Sequence, residues 1–166
     1  MQTQSQGSPL YLRSRTRRYK VANADEIFAA ARAAADQRMQ RGATFKNPAD
    51  TRAFFQAKLG GLDREVFAAA YLDARHRLIE YVELFRGTVD GAEVHPREVV
   101  RQGLRCNAAA VLVAHNHPSG TAEPSAADRA VTARLKQALA LVDLRLLDHV
   151  VVGGTQTSTL AERGWL

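Results

Sequence analysis

Two short, largely apolar runs on either side of a long helical pattern constrain the fold of this chain more than any other feature. Residues 109–114 and residues 144–152 are both typical of buried strands. Between them, Ser125 begins a helical pattern that continues to about Val142. Because strands interleave with helices, the sequence predicts an α/β fold in which helices cover a sheet.

The rest of the chain adds further elements to this unit. Capping residues, turn glycines and β-rich runs mark their limits. The predicted elements are a helix over 23–41, a short helix over 47–60, a hairpin of strands 66–72 and 78–85, a helix from Pro96 to Arg105, and a final strand and turn within 155–166. Residues 88–94 are predicted to be a loop or an irregular edge.

Length and cysteine content limit how the chain can be stabilised. A chain of 166 residues with 46% apolar side chains is long enough to bury one core without disulfides or a structural metal. The single cysteine, Cys106, excludes an internal disulfide and every zinc site that needs two thiolates. Any transition metal would therefore be held by histidine and carboxylate side chains.

Hydropathy along the chain argues against attachment to a membrane. No apolar run approaches the roughly 20 residues that span a bilayer. The N-terminal residues also lack the apolar segment of a secretory signal. We therefore expect a cytoplasmic protein with no membrane partner.

The positive charge is concentrated at the N-terminus. The net charge is +6, but residues 1–20 contain five basic side chains and no acidic one, so the remaining 146 residues carry 18 basic and 17 acidic groups. We interpret residues 1–20 as a basic flexible arm, residues 21–62 as an N-terminal helical segment and residues 63–166 as one domain. The arm is either a solvated extension or a non-specific contact for nucleic-acid phosphates.

The residues with the most informative spacing are His115, His117 and Asp128. Side chains alternate along a strand, so the two histidines at the strand end project to one side, while Asn116 points away. Asp128 lies in the first turn of the next helix, and the Pro/Gly loop before it is long enough to bring its carboxylate to the imidazoles. Two imidazoles and one carboxylate leave a tetrahedral zinc ion one open position, which is typical of a catalytic site.

Ser125 and Asp128 also have a purely structural explanation. A serine followed three residues later by an acidic residue has the form of a helix capping box. A single histidine, likewise, is more often a surface or core residue than a metal ligand. The combined pattern favours a metal site, and helix capping is compatible with it.

The spacing HxHx7SxxD, formed by His115, His117, Ser125 and Asp128, resembles the JAMM motif of the MPN metalloproteases. The wider strings RHRLIEYVELFRGTVDGAEVHPREVV and LLDHVVVGG look like the bacterial RadC-like branch, and the resemblance runs from about Asp63 to the C-terminus. It implies a JAMM/MPN fold, a mixed β-sheet flanked by helices that is similar to cytidine deaminases. It also implies one zinc ion per chain, held by the two histidines and Asp128, and hydrolysis of amide bonds in a peptide or protein substrate. By the same resemblance, Ser125 matches the serine that stabilises the oxyanion.

The resemblance further implies a glutamate just before the first strand of the sheet, as general base and proton shuttle, and Glu65 occupies that position. The alternative for Glu65 is a solvated side chain in a charged turn. Glu80 and Glu83 are the next candidates, although their odd spacing along a strand places them on opposite faces. Glu123 is expected to be an exposed loop carboxylate. His149 is expected to be a strand-edge histidine with a backbone partner, rather than a group that supports a ligand.

The N-terminal part of the chain departs from the family pattern. RadC-like proteins commonly carry a helix-hairpin-helix-like region linked to DNA repair, and residues 1–62 contain no convincing turn of that type.

Taken together, the metal-ligand spacing and the resemblance favour a zinc metallohydrolase. Two alternatives stay open: a DNA-associated accessory or binding protein with a structural or vestigial metal site, and a metal-occupied scaffold without turnover. Interface strands and core strands share one pattern, so no oligomeric state is predicted.

Overall fold

The computed structural model describes residues 9–13, 18–38, 42–87 and 93–166 of the chain. The helices in these ranges are α1 (Ala24–Arg38), α2 (Pro48–Leu59), α3 (Pro96–Arg105) and α4 (Ala126–Ala140). The strands are β1 (Tyr11–Arg13), β2 (Tyr19–Val21), β3 (Val66–Leu72), β4 (Leu78–Arg86), β5 (Ala110–His117), β6 (Arg145–Gly153) and β7 (Gln156–Thr159). No helix in the described ranges is both long enough and apolar enough to cross a membrane.

A five-stranded sheet in the order β4-β3-β5-β6-β7 forms the centre of the structure. β5 and β6 are parallel, and the other neighbouring pairs in this sheet are antiparallel. Because β5 and β6 run in the same direction, the chain must cross back between them, and α4 makes this crossover along one face of the sheet. The predicted α/β class, with a mixed sheet flanked by helices, is confirmed.

The two faces of this sheet are covered by different helices. We call the first the α2 face, and its core includes Phe54, Phe55, Leu59, Ala70, Leu112 and Val150. We call the second the α4 face, and its core includes Tyr71, Val99, Val111, Val113, Leu135 and Leu139. Successive residues of β5 belong to different cores because side chains alternate along a strand.

The predicted hairpin of β3 and β4 and the predicted last strand are confirmed, but β5 differs from the prediction. The apolar run predicts a strand that ends at residue 114, whereas β5 continues through His117. Histidine and asparagine do not by themselves favour strands. These residues are nevertheless extended because β5 pairs with β3 up to His115 and with β6 up to His117. Strand pairing on both sides therefore holds the histidines in the sheet.

Capping residues begin the first two helices where the sequence predicts. Asn23 Oδ1 accepts a hydrogen bond from the Glu26 N–H at 2.9 Å, and Glu26 Oε2 accepts one from the Asn23 N–H at 3.1 Å. Asn47 Oδ1 accepts from the Asp50 N–H at 2.9 Å, and Pro48 occupies the first turn of α2. α2 belongs to the segment that we interpreted as N-terminal and helical, and it packs directly on the sheet.

The N-terminal region contains more regular structure than the sequence indicates. β1 and β2 fall within or next to the segment interpreted as a flexible arm, and they pair antiparallel in a two-stranded ribbon. Residues 1–8 and 14–17 lie outside the described residues. The same is true of residues 39–41, at the predicted end of the first helix, and of residues 88–92 in the predicted loop or edge.

Candidate metal centre

β5 carries two histidines whose ring nitrogens meet at the end of the sheet. His115 and His117 project toward α4, whereas Asn116 contacts the start of β3 on the opposite side. His115 is only 1% exposed, and His117 is half-buried. Their Nε2 atoms lie 2.9 Å apart. The prediction that the two imidazoles converge on one point is confirmed.

Asp128, in the first turn of α4, brings a carboxylate to the same point. Its Oδ1 lies 3.1 Å from Nε2 of His115, and its Oδ2 lies 3.7 Å from Nε2 of His117. Ligand atoms at usual zinc bond lengths around a tetrahedral ion are roughly 3.3 Å from one another. We call His115, His117 and Asp128 the metal triad, because their ligand atoms have the spacing for one metal ion.

The capping box at the start of α4 helps to orient this carboxylate. Ser125 Oγ accepts a hydrogen bond from the Asp128 N–H at 3.1 Å. Asp128 Oδ2 accepts from the Ser125 N–H at 2.6 Å and from the Ser125 hydroxyl at 2.7 Å. The structural explanation of this serine and aspartate is therefore confirmed, and the same hydrogen bonds direct the carboxylate toward the histidines.

Two opposing effects act on the pKa of Asp128. Partial burial raises the pKa, whereas the close approach of the His115 imidazole and the hydrogen bonds from Ser125 lower it. The lowering effects are larger, so the pKa lies well below its ordinary value of 3.8. The side chain is therefore an anion at neutral pH, which is the form that binds a metal ion.

Glu65 borders the same cavity as the metal triad. It immediately precedes β3 and is half-buried. The cavity has a volume of about 560 Å³, and its wall includes Glu65, Ser125 and all three residues of the triad. The structure thus brings together at one cavity the five side chains to which the sequence assigns metal binding or chemistry.

Asn116 holds the backbone that carries Glu65. Its Oδ1 accepts a hydrogen bond from the Val66 N–H at 2.8 Å, and its Nδ2 donates to the Arg64 carbonyl at 2.9 Å. A single side chain thus binds the peptide groups on both sides of Glu65. Sequence reasoning assigned Asn116 no role, because its partners lie 50 and 52 residues away along the chain.

The loop after β5 holds the second histidine of the triad. Nδ1 of His117 donates a hydrogen bond to the Thr121 carbonyl at 2.9 Å. Gly153 is the register partner of His117 in β6, and a Cβ atom there would lie only 2.2 Å from the carbonyl carbon of Thr121. Glycine at this position is therefore required by the close approach of the loop.

The expectation for His149 is wrong. His149 is fully buried, with Nε2 2.8 Å from Nδ1 of His115 and Nδ1 2.6 Å from Oγ1 of Thr132 in α4. The reason is topological, because β7 covers the far side of β6 and makes β6 an inner strand. Burial, followed by the neighbouring His115, lowers the pKa of His149 well below its ordinary value of 6.5. The ring is therefore neutral.

The alternative carboxylates lie away from the metal triad. Glu80 accepts hydrogen bonds from two side chains of α3. Glu83 pairs with Arg86, and Glu123 forms two hydrogen bonds with Arg163. The side chain of Glu123 is 65% exposed, as expected. The described residues that line the cavity include none of these three glutamates.

The fold and the metal triad define an α/β protein with a candidate metal centre of histidine and carboxylate side chains at one end of a mixed sheet. The sequence profile of the RadC-like JAB domain family matches residues 45–165. Because this match covers most of the chain, the chain belongs to the RadC-like JAB domain family.

Several bacterial proteins are similar to this chain. A UPF0758 protein of Marinobacter nauticus is 56% identical over 145 residues, which are 87% of this chain and 65% of that protein. A UPF0758 protein of Vibrio cholerae is 59% identical over 131 residues, which are 79% of this chain and 82% of that protein. A UPF0758 protein of Xanthomonas campestris is 58% identical over 128 residues, which are 77% of this chain and 57% of that protein. This chain therefore spans less than two thirds of the first and third of these curated relatives, and the three names state no activity.

Proposed function

We propose that the chain is a zinc-dependent hydrolase that cleaves amide bonds in a peptide or protein substrate. The observation that carries the proposal is that three metal-ligand side chains, a half-buried carboxylate and a serine hydroxyl border one cavity. Metal-assisted hydrolysis needs a metal with an open position, a group that moves protons and a donor for the developing oxyanion. The residues around this cavity supply one candidate for each part.

The donor set of the triad fits zinc. Zinc accepts imidazole nitrogen and carboxylate oxygen, and three protein ligands leave the fourth tetrahedral position open. His117 is suited to binding through Nε2, because its Nδ1–H is engaged by the Thr121 carbonyl. When bound, one zinc ion per chain would lower the pKa of the attacking water to about 7 and polarise the carbonyl of the substrate.

We assign proton transfer to Glu65. Its carboxylate would accept the proton of the attacking water and return it to the departing nitrogen, which requires hydrogen-bond reach to both. Asn116 holds the peptide groups on either side of Glu65. This restraint supports the assignment, because the carboxylate can then move only through its own side-chain torsions.

We assign stabilisation of the oxyanion to Ser125. Its proton is directed at Oδ2 of Asp128, so the hydroxyl must rotate toward the cavity to donate to the developing negative charge. Loss of one such donor typically raises the activation barrier by about 3 kcal/mol. Ser125→Ala should therefore slow turnover strongly while the zinc content stays at the wild-type value.

The first test is the zinc content of the wild-type protein and of His117→Ala after zinc loading and desalting. We expect one zinc ion per wild-type chain and almost none in the variant, because the variant lacks one of three ligands. Equal values near zero in both proteins would reject the proposal.

The second test is a cleavage screen on peptide and isopeptide libraries with Glu65→Gln. The matched control is Glu83→Gln, the same change in a carboxylate that pairs with Arg86. We expect cleavage by the wild-type protein and the control, and none by Glu65→Gln. Cleavage that survives in Glu65→Gln would remove this residue from the mechanism. Zinc binding without cleavage of either library would favour the scaffold over the hydrolase.

A further inference from the structure

We infer that His149 and Thr132 are positioning residues, which fix the His115 imidazole in the tautomer whose Nε2 lone pair faces the metal position. The inference rests on the proposed metal site, but it concerns a part of the molecule outside the metal triad. Both residues are buried and neither is among the residues that line the cavity. They act, in this view, through hydrogen bonds to the triad.

The direction of the hydrogen bonds can be followed from α4. The Thr132 hydroxyl lies 2.6 Å from the Asp128 carbonyl oxygen, and a carbonyl oxygen can only accept. Thr132 therefore uses its single proton on this bond. Its Oγ1 also lies 2.6 Å from Nδ1 of His149, where it can now only accept. Nδ1 of His149 must then carry the proton.

The same logic continues into the sheet. His149 is fully buried, so a charged ring would be strongly disfavoured and the ring is neutral. A neutral imidazole with its proton on Nδ1 has a lone pair on Nε2. That Nε2 lies 2.8 Å from Nδ1 of His115, so Nδ1 of His115 must donate. Nε2 of His115 is consequently the nitrogen that can present a lone pair to a metal ion, and it is the atom next to His117 and Asp128.

The series of hydrogen bonds begins and ends on residues of the metal triad. It starts at the main-chain carbonyl of Asp128, passes through Thr132 and His149, and ends at the ring of His115. His117 is held differently, by the Thr121 carbonyl. His117 therefore provides an internal reference, because a change in Thr132 or His149 should leave its tautomer unaltered.

If His149 served only to fill space in the core, its hydrogen bonds would not matter. Its ring packs edge-on against Phe67, with centroids 5.5 Å apart, and a residue needed only for packing could be replaced by another ring. Groups that hydrogen-bond a metal-binding histidine usually change metal affinity 10–100-fold when they are removed. The two roles are therefore separable by metal affinity and by the tautomer of His115.

The experiment measures the tautomers of His115 and His117 in the metal-free, ¹⁵N-labelled protein, from two-bond ¹H–¹⁵N couplings. We expect Nδ1–H on both rings in the wild type. In Thr132→Val, a change of nearly the same shape, the proton of His149 loses its acceptor. The proton of His149 should then move to its Nε2 and be donated to Nδ1 of His115, so the His115 ring should lose its Nδ1 proton while His117 stays unchanged. The control is Thr51→Val, a buried threonine of α2, in which both rings should keep the wild-type tautomer.

Zinc affinity, measured by competition with a chromophoric chelator, provides the second readout. We expect affinity to fall about 10–100-fold in Thr132→Val and in His149→Phe, and to recover largely in His149→Gln, whose amide oxygen can accept from His115. A wild-type His115 ring without a proton on Nδ1, or a folded Thr132→Val with unchanged protonation of this Nδ1 and unchanged affinity, would overturn the inference. The tautomers are read without metal or substrate, so absence of amide cleavage would reject the proposed function and leave this inference standing.

Discussion

The two faces of the central sheet are built from the same strands but are packed by different chemistry. On the α2 face, aromatic rings meet edge to face, with centroids of Phe54 at 5.3 Å from Phe45 and 5.5 Å from Tyr81. On the α4 face, the rings of His115 and His149 are joined through their nitrogen atoms at 2.8 Å. Alternation along β5 and β6 is sufficient to separate the two, because neighbouring residues point to opposite faces.

Because of this difference, we expect the α2 face to contribute mainly to stability and the α4 face to the proposed metal site. Apolar contacts on the α2 face depend on the buried area and on the shape of the side chains, and they need no particular partner atom. The hydrogen-bonded rings on the α4 face depend on particular partner atoms at fixed places, because a buried polar group without its partner is costly. We therefore expect substitutions on the two faces to have different signatures.

The largest expected effect is on the α2 face. Phe55→Ala removes a fully buried ring and should lower the free energy of unfolding by about 3–5 kcal/mol, with zinc affinity of the folded protein unchanged. Leu135→Ala, a fully buried residue of α4, should cost about 2–5 kcal/mol and also weaken zinc binding, because α4 carries Asp128. Urea unfolding and chelator competition provide the two values. A loss of zinc affinity in folded Phe55→Ala would show that the faces are not independent.

A smaller effect is expected where the loop after β5 crosses the sheet. In Gly153→Ala the new methyl group would overlap the Thr121 backbone, which should cost about 3 kcal/mol of stability. The loop must move, so the hydrogen bond from His117 to the Thr121 carbonyl should weaken as well. Urea unfolding measures the first change and the ring coupling pattern of His117 measures the second. In Gly154→Ala a Cβ atom has no contact below 3.7 Å, but the positive φ of +55° strains the backbone, so this variant shows the effect of backbone strain without overlap and should leave His117 unchanged.

Asn116 connects the two faces, since it lies on the α2 side and holds the residue beside the cavity. Asn116→Ala leaves two main-chain groups without their partner, and we expect a loss of about 2 kcal/mol in stability. Exchange of the Val66 amide proton should accelerate, while zinc content stays at the wild-type value. Unchanged exchange at Val66 would show that this side chain does not restrain the backbone at Glu65.

The smallest effect concerns Asp148, which alternation places on the α2 side of β6. Burial raises its pKa above the ordinary value of 3.8, so its stabilising contribution is fully present below pH 3.8 and is lost as the pH rises through the raised pKa. Asp148→Asn cannot ionise, and we expect it to exceed the wild type in stability at pH 7 by less than about 1 kcal/mol. The difference in unfolding free energy between Asp148→Asn and the wild type should be smaller at pH 3.5. Urea midpoints at the two pH values measure it, and a larger gap at pH 3.5 would contradict the sign.

Much of the metal centre can be predicted from the sequence because its parts obey short-range rules. His115 and His117 follow the period of a strand, and Ser125 and Asp128 follow the spacing of a helix cap. Glu65, in contrast, is predictable only through the resemblance to a family, since nothing in its own neighbourhood distinguishes it from a turn residue.

The remaining parts of the site depend on which elements become neighbours. Thr132 and His149 are 17 residues apart, and His149 and His115 are 34 residues apart. No local pattern shows that β6 is an inner strand, so the sequence alone predicts that His149 lies at a strand edge. The last residues of β5 were missed for a related reason, because their extended form comes from pairing with β3 and β6 rather than from their own preferences.

The position of β5 in the middle of the sheet has a consequence for folding fidelity. β5 is paired on both sides, with β3 and with β6. A slip of β5 by one residue would turn both imidazoles to the other face and present the amide of Asn116 in their place. Zinc binding at the proposed site, measured after unfolding and refolding, would therefore report whether the chain has recovered its register to the single residue. A measurement of total strand content cannot detect such an error.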